Sequence, residues 1–239
     1  ANNWEPPSDW RRDLIIDPGT QKPAILFMTI PPSHMWDEDE PYYIAYDEIY
    51  IPRMDAYQLA AMIRERHSGQ FFEDFIIDGM AARQKPMGFS WTIGHQYEMA
   101  FEKENLRSRH GTYFTPGDPD FLQRSQQVHK ALRMRKCGRP QIRIVTHKCP
   151  HLVKQLRTNV RKLNKEGEPL EKPQDNQKDD VRVCLEYYMS RRLTYKEPPV
   201  AGVPSDPTMK RYHAFRTEAL RAGQKGKASD KSVLCGVNR

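Results

Sequence analysis

Long apolar runs are absent from this sequence of 239 residues. No window of about 18 consecutive apolar residues occurs, and the N-terminal segment has no signal-peptide pattern, so we expect neither a membrane span nor secretion. Hydrophobic residues still make up 38% of the chain and charged residues 29%. This balance argues against a disordered chain and predicts a domain with a buried core.

Cysteine is also scarce. The four cysteines form no Cys-x-x-Cys pair, which indicates a reducing compartment and argues against a disulfide framework. Cys137, His147, Cys149 and His151 lie close together in sequence, but their spacing matches no standard zinc site. We therefore predict no zinc ion here.

Acidic residues are missing from a long central part of the chain, since residues 121–165 contain no Asp or Glu. An ordinary solvated surface mixes both signs of charge, so this bias, with a net charge of +7, favours contacts with the phosphates of a nucleic acid. No array of base-reading side chains is visible, and little sequence preference is expected. The predicted phosphate contacts are Arg139, Arg143, Lys148, Lys154, Arg157, Arg161, Lys162 and Lys165.

Carboxylates stand at the ends of two apolar runs. Leu14-Ile15-Ile16 leads into Asp17 before Pro-Gly, and Phe75-Ile76-Ile77 leads into Asp78 before Gly. A third acidic position, Asp179-Asp180, opens an apolar-periodic helix. Each alone is commonly a turn residue or a helix cap. Together they provide the oxygen ligands that Mg²⁺ or Mn²⁺ prefers, and unpaired they would raise one another's pKa.

The order of apolar patterns predicts a mixed α/β sheet flanked by helices. Strands are expected over residues 12–17, 24–30 and 42–51, the first two forming an antiparallel hairpin. An amphipathic helix over residues 55–67 then crosses over to a further strand that ends at Asp78, which predicts parallel pairing. Further helices are predicted over residues 93–106, from Asp118 or Asp120 onwards, over 150–156 and over 179–192. A further strand is predicted over residues 141–146. Residues 111–116 are predicted to form a loop, and residues 158–176 a hairpin or a mobile loop.

Three segments are expected along the chain. Residues 1–10 are polar and rich in Trp and Pro, which is typical of a linker, and we expect the chain to be part of a longer protein. Residues 11–205 form the main domain. Residues 206–239 are predicted to form a helix followed by a basic tail.

These motifs, in this order, resemble the C-terminal nuclease domain of the large subunit of tailed-bacteriophage terminases, the packaging motors that cut concatemeric genomes. In that family an RNase H-like sheet opens with an apolar strand ending in Asp, as at Asp17, and the second acid ends the next core strand, as at Asp78. A Tyr/Ile-rich strand and a helix lie between them, matched by residues 43–66. The third acid precedes a helix of the type x-x-x-Ala-Leu-x-Tyr, matched by residues 179–187 with Cys184 in place of the usual alanine.

The resemblance spans residues 12–192 and implies an RNase H-like, two-metal endonuclease that cuts double-stranded DNA. It implies that Asp17, Asp78 and Asp179 are catalytic and that these residues, together with Asp180, bind Mg²⁺ or Mn²⁺, with two ions expected when DNA is bound. By the family pattern Asp179 is the ligand and Asp180 has the place often held by His, and the choice between them stays open. No phosphate-binding Gly-Lys-Ser/Thr loop occurs, so the motor half of such a protein is missing from this sequence.

The implied partners are double-stranded DNA, an ATPase motor domain, the portal and the small terminase subunit, with no membrane, in the host cytoplasm at the procapsid. Two alternatives remain. Another RNase H-like nuclease, of resolvase or transposase type, would prefer branched DNA. A non-catalytic DNA-binding module, with the acids acting as caps and turns, would bind DNA even in EDTA and would not cut it, whichever metal is added.

Overall fold

The computed structural model describes residues 4–19, 22–164, 166, 169–173 and 178–197. The predicted helix and tail over residues 206–239, and the predicted phosphate contact Lys165, lie outside this part of the chain. None of the helices in the described ranges is long and apolar enough to cross a bilayer.

A mixed sheet of six strands, in the order β5-β4-β1-β2-β3-β6, forms the centre of the fold. The strands are β1 (Arg11–Asp17), β2 (Ala24–Ile30), β3 (Tyr43–Tyr50), β4 (Asp74–Ile77), β5 (Thr115–Pro116) and β6 (Ile142–Ile144). β1 pairs antiparallel with β2, and β2 with β3, whereas β4 joins β1, β5 joins β4 and β6 joins β3 in parallel. The predicted mixed sheet of an antiparallel hairpin and parallel strands is therefore confirmed.

Helices cover both faces of the sheet because β1 and β2 are apolar on both sides. Leu14 and Ile16 of β1 face one core, while Ile15 faces the other, and all three are fully buried. The helices are α1 (Ala56–Arg66), α2 (Gly79–Arg83), α3 (Ile93–Lys103), α4 (Phe121–Leu132), α5 (Pro150–Thr158) and α6 (Asp180–Ser190). α1 and α3 pack on the first core, and α4, α5 and α6 pack on the second.

Local signals explain where several helices begin. Asp55 caps α1 through a reciprocal pair of hydrogen bonds with Gln58, and Asp120 caps α4 by accepting from the Gln123 backbone N–H. Pro150 opens α5, where its missing N–H costs nothing. These ends were expected from the sequence.

One short strand differs from the expectation, and another segment takes the first of its two predicted forms, a hairpin. Residues 111–116, predicted as a loop, include the two-residue edge strand β5, which has too few apolar residues for a pattern to be visible. The segment predicted as a hairpin or mobile loop forms a small two-stranded sheet of β7 (Arg161–Leu163) and β8 (Pro169–Pro173).

The last part of the predicted linker packs on the domain. Trp10 is buried and meets Trp4 edge to face at 5.9 Å, and Arg12 donates to the backbone carbonyls of Pro6 and Pro7. Residues 4–10 therefore belong to the folded body.

Candidate metal centre

Asp17 and Asp78 lie side by side at one edge of the central sheet. Asp17 is the last residue of β1, and Asp78 follows β4 directly. The two strands run parallel with Ile16 opposite Ile77, and the Asp78 N–H donates to the Ile16 carbonyl at 3.1 Å. Because neighbouring strands are about 4.8 Å apart, the two aspartates leave the sheet as direct neighbours.

The Asp78 carboxylate is fixed from two sides. Its Oδ1 accepts a hydrogen bond of 2.8 Å from the Met80 N–H and so caps α2. Tyr187 of α6 lies beside it, and burial, followed by the negative charge of Asp78, raises the pKa of the Tyr187 hydroxyl. Gly117, just after β5, leaves the space for that ring, since a Cβ there would stand 2.3 Å from Tyr187 Cδ1.

Asp179 and Asp180 arrive at the same edge from the start of α6, but their partners differ. Asp179 Oδ2 accepts a hydrogen bond of 2.5 Å from Arg182, whose guanidinium is buried and also donates to Glu186. Asp180 Oδ2 instead accepts from the hydroxyl of Tyr50, the last residue of β3. A cation therefore compensates the charge of Asp179, whereas the partner of Asp180 is a neutral phenol.

The aspartates influence one another. Burial, followed by the negative charges of Asp180 and Asp78 and a smaller effect of Asp179, raises the pKa of Asp17 to about 7. Such mutual repulsion is expected where several carboxylates share a site without a cation.

No group of three or more Asp, Glu, His or Cys side chains within the described ranges is arranged to hold a metal ion as it stands. Each of the four carboxylates is hydrogen-bonded to its own neighbour: Asp17 to the Gly19 N–H, Asp78 to Met80, Asp179 to Arg182 and Asp180 to Tyr50. Carboxylates that repel one another are expected to take such separate partners. The donor set suits a hard divalent cation, but side-chain rotation is needed to converge on one.

The predicted phosphate contacts fall into two groups, those far from the aspartates and those close to them. Arg143 lies on β6 opposite Ile44, near the start of β3, whereas the aspartates lie near its end at Tyr50. Six residues of strand correspond to about 20 Å. Arg143 also pairs with Asp37 and stacks on Tyr42 at 3.5 Å, so it lies far from the aspartates and is already partnered.

Arg139 and Lys148 also lie outside the immediate site. Arg139 is exposed just before β6, and its carbonyl accepts from the Arg135 backbone N–H at 3.2 Å. Lys148 forms an ion pair with Glu5 in the N-terminal segment.

α5 borders the carboxylates and carries Lys154 and Arg157, both exposed. The His151 ring meets the Tyr50 ring at 5.1 Å, and Gln155 Oε1 accepts from the Arg182 N–H at 2.9 Å. These two contacts tie α5 to both flanks of the site. Arg161 and Lys162 follow on β7, within the hairpin that leads back towards α6.

Several site residues escaped the sequence analysis. Tyr50 gave no signal beyond its place at the end of a strand. Arg182 and Glu186 did give one, because two charges four residues apart interrupt an otherwise apolar helix, as in a buried ion pair. Lys22, whose ammonium lies 3.4 Å from the Tyr50 ring centroid, stands beyond a turn and carries no pattern.

Comparisons with known proteins support the fold alone. No family model matches the sequence, and no curated protein matches it. Among solved structures, the large terminase nuclease domain of P22 is similar over 81% of this chain and 87% of its own, with 15% identity and a TM-score of 0.54. The large terminase nuclease domain of bacteriophage SPP1, with bound Mn, matches over 77% and 87%, with 14% identity and a TM-score of 0.47. The predicted RNase H-like fold is thereby confirmed, and in its fold the chain resembles the nuclease domain of a phage large terminase.

Proposed function

We propose that this chain is a metal-dependent endonuclease that cuts double-stranded DNA with little sequence preference, as the genome-cutting nuclease of a phage packaging terminase. The observation that carries the proposal is that Asp17, Asp78 and Asp180 share one edge of the sheet, with the pKa of Asp17 raised to about 7 by burial and by the other two charges. A carboxyl with a raised pKa that stands among other carboxylates is typical of a functional site. The fold shared with the P22 nuclease domain supports the same reading.

Asp17, Asp78 and Asp180 are the residues we assign to Mg²⁺ or Mn²⁺, with two ions when DNA is bound. A divalent cation at these oxygens would supply water activation and stabilisation of the leaving 3′ oxygen. Asp179 is the second choice for the third ligand, because its ion pair with Arg182 would have to break before it could bind a cation. In this proposal Asp179 chiefly anchors the first turn of α6.

The neighbours of the carboxylates have separate tasks. Asp17 would release its proton when a cation binds, because a neighbouring positive charge favours the ionised carboxylate and so lowers the pKa that burial and the other aspartates raise. Tyr50 orients Asp180 through its hydroxyl, and Tyr187 stands against Asp78. Outer partners of this kind commonly tune metal affinity by about 10–100-fold.

DNA would run across the edge that carries the carboxylates and along α5. Lys154 and Arg157 are exposed on that helix, and the β7–β8 hairpin with Arg161 and Lys162 follows it directly. Phosphate contacts from this side would hold the duplex without reading its sequence. The motor domain, the portal and the small subunit, in the host cytoplasm at the procapsid, complete the proposed setting.

Digestion of supercoiled plasmid with Mn²⁺, Mg²⁺ or EDTA tests the proposal. We expect nicked and linear products with either metal and none in EDTA. Asp17→Asn, Asp78→Asn and Asp180→Asn should each lower the cutting rate by at least about 100-fold, consistent with loss of a metal ligand, and should still bind plasmid. Asp179→Asn should keep more activity than Asp180→Asn.

The exposed surface residue Glu65 provides a matched control, and Glu65→Gln should cut like the parent chain. Plasmid that is bound but is not cut with Mn²⁺, with Mg²⁺ or in EDTA would favour a non-catalytic DNA-binding module. A strong preference for branched over linear DNA would favour a resolvase-type enzyme. Full activity in Asp180→Asn with none in Asp179→Asn would reverse our assignment of the third ligand.

A further inference from the structure

An exposed aromatic loop, residues 84–92, stands close to the carboxylates and has no role in the metal centre. Met87 is 98% exposed, Phe89 50% and Trp91 38%, and the rings of Phe89 and Trp91 are in contact with centroids 5.3 Å apart. Large apolar side chains grouped on a surface mark a place where something binds, because their exposure to water is unfavourable.

The loop has a firm base and a short, defined distance to the site. The Ile93 N–H donates to the Gln84 carbonyl at 2.9 Å and closes the loop. Its two flanking helices touch, since a Cβ on Gly94 of α3 would stand 3.1 Å from the Ala82 carbonyl oxygen of α2. Gln84 is six residues after Asp78 along the helix α2, a rise of about 9 Å, which is about the length of three nucleotides.

The charge of the loop and its flanking residues distinguishes between two classes of partner, a nucleic acid and an apolar protein surface. Residues 79–97 contain no Asp or Glu, while Arg83 and Lys85 are both exposed at the base of the loop. A segment that carries basic residues and no acids is complementary to a polyanion such as DNA. Its position beside the carboxylates would bring that DNA next to the metal centre. Aromatic side chains stack on bases or wedge between base steps without reading sequence, which fits a nuclease with little preference.

We infer that the aromatic loop contacts DNA beside the cut, with Phe89 and Trp91 against the bases and with Arg83 and Lys85 on the flanking phosphates. This inference rests on the proposed function and adds a substrate contact to it. An apolar protein surface is the competing occupant, and the experiment below separates the two.

Binding of the full chain to a short labelled duplex in EDTA, where no cutting occurs, is the test. Phe89→Ser combined with Trp91→Ser should weaken binding by about tenfold or more, the usual effect of losing base-stacking side chains. Arg83→Gln combined with Lys85→Gln should lower the slope of log K against log salt by about 2, since each lost phosphate contact removes about 0.9. DNA should quench tryptophan fluorescence in the parent chain and quench it less in Trp91→Phe.

Met35→Ser combined with Tyr113→Ser is the matched control. Both residues are exposed, 43% and 69%, and neither belongs to the aromatic loop. Met35 follows Ile30, at the end of β2 that is remote from Asp17. Binding by this variant should equal that of the parent chain. Circular dichroism and thermal melting check that every variant folds.

Two results would overturn the inference. If the parent chain binds DNA while the aromatic variant keeps its affinity and the basic variant keeps its salt slope, the loop does not contact DNA, the proposed function still stands, and an apolar protein partner becomes its occupant. If the parent chain binds no DNA at all, both the inference and the proposed function are wrong.

Discussion

The raised pKa of Asp17 makes the stability of this domain depend on pH in a direction that can be measured. The Asp17 carboxyl keeps its proton in the folded state up to about pH 7, compared with an ordinary aspartate pKa of 3.8. Between these values the folded state binds more protons than the unfolded state, so this residue lowers the free energy of unfolding as the pH rises. The penalty is absent below about pH 4 and complete above about pH 7.

The size of the penalty follows from the shift. A carboxyl whose pKa rises from 3.8 to about 7 destabilises the folded state by up to about 4 kcal/mol at pH 8. Asp17→Asn removes the charge and keeps an oxygen that can accept from the Gly19 N–H. In EDTA at pH 8 the variant should therefore melt higher than the parent, on the order of 10 °C, because each kcal/mol is worth about 2–4 °C in a domain of this size.

Thermal melting at pH 4.5 and pH 8, with EDTA or Mn²⁺, provides the assay. The difference between parent and variant should be small at pH 4.5 and large at pH 8. Mn²⁺ at about 100 times its dissociation constant should stabilise the parent by about 2.7 kcal/mol and the variant far less. Glu65→Gln should follow the parent throughout. An Asp17→Asn protein that is no more stable than the parent at pH 8 in EDTA would refute the reasoning.

Three further predictions concern the neighbours of the site and the core. Tyr50→Phe should weaken Mn²⁺ binding about tenfold in calorimetric titration, because Asp180 loses its hydrogen bond; an unchanged affinity would exclude this orienting role. Gly117→Ala should lower the free energy of unfolding in urea by about 1–3 kcal/mol, because the added methyl overlaps Tyr187, and a loss near zero would mean that the ring moves freely. Arg11→Met should cost about 3–5 kcal/mol in the same assay by removing the guanidinium that pairs with buried Asp13 and Asp74. Arg64→Ala, which breaks an exposed pair, should cost at most about 1 kcal/mol, and equal losses would contradict the distinction.

The sheet was predictable because its signals are local. The residues of β1 and β2 are apolar on both faces, and each strand is bounded by a turn, so hydrophobicity alone located them within a residue. Asp17 and Asp78 were recognisable because a charge at the end of a buried strand requires a reason. Parallel pairing of their strands then followed from the intervening helix.

The remaining features depend on contacts between distant residues, which no local pattern reveals. The two-residue strand β5 exists because its backbone pairs with β4. The ion pair of Arg143 with Asp37 joins residues that are 106 positions apart in sequence. The choice between Asp179 and Asp180 depends on which side chain each meets. Arg182 is one turn along from Asp179, whereas Tyr50 is 130 residues away from Asp180.

Repelling carboxylates can stay together only if the elements that carry them are held by something else, and α6 is held along its length. At its far end Tyr188 donates to buried Asp13 at 3.0 Å, while Arg11 binds Asp13 and donates to the Thr194 carbonyl beyond the helix. At its near end the Arg182 N–H is bound by Gln155. A buried ion pair contributes little net stability but requires one arrangement of its partners. The charged network under α6 therefore fixes the position of Asp180 relative to Asp17. The free energy gained by apolar packing of α6 on the sheet offsets the repulsion between these two carboxylates.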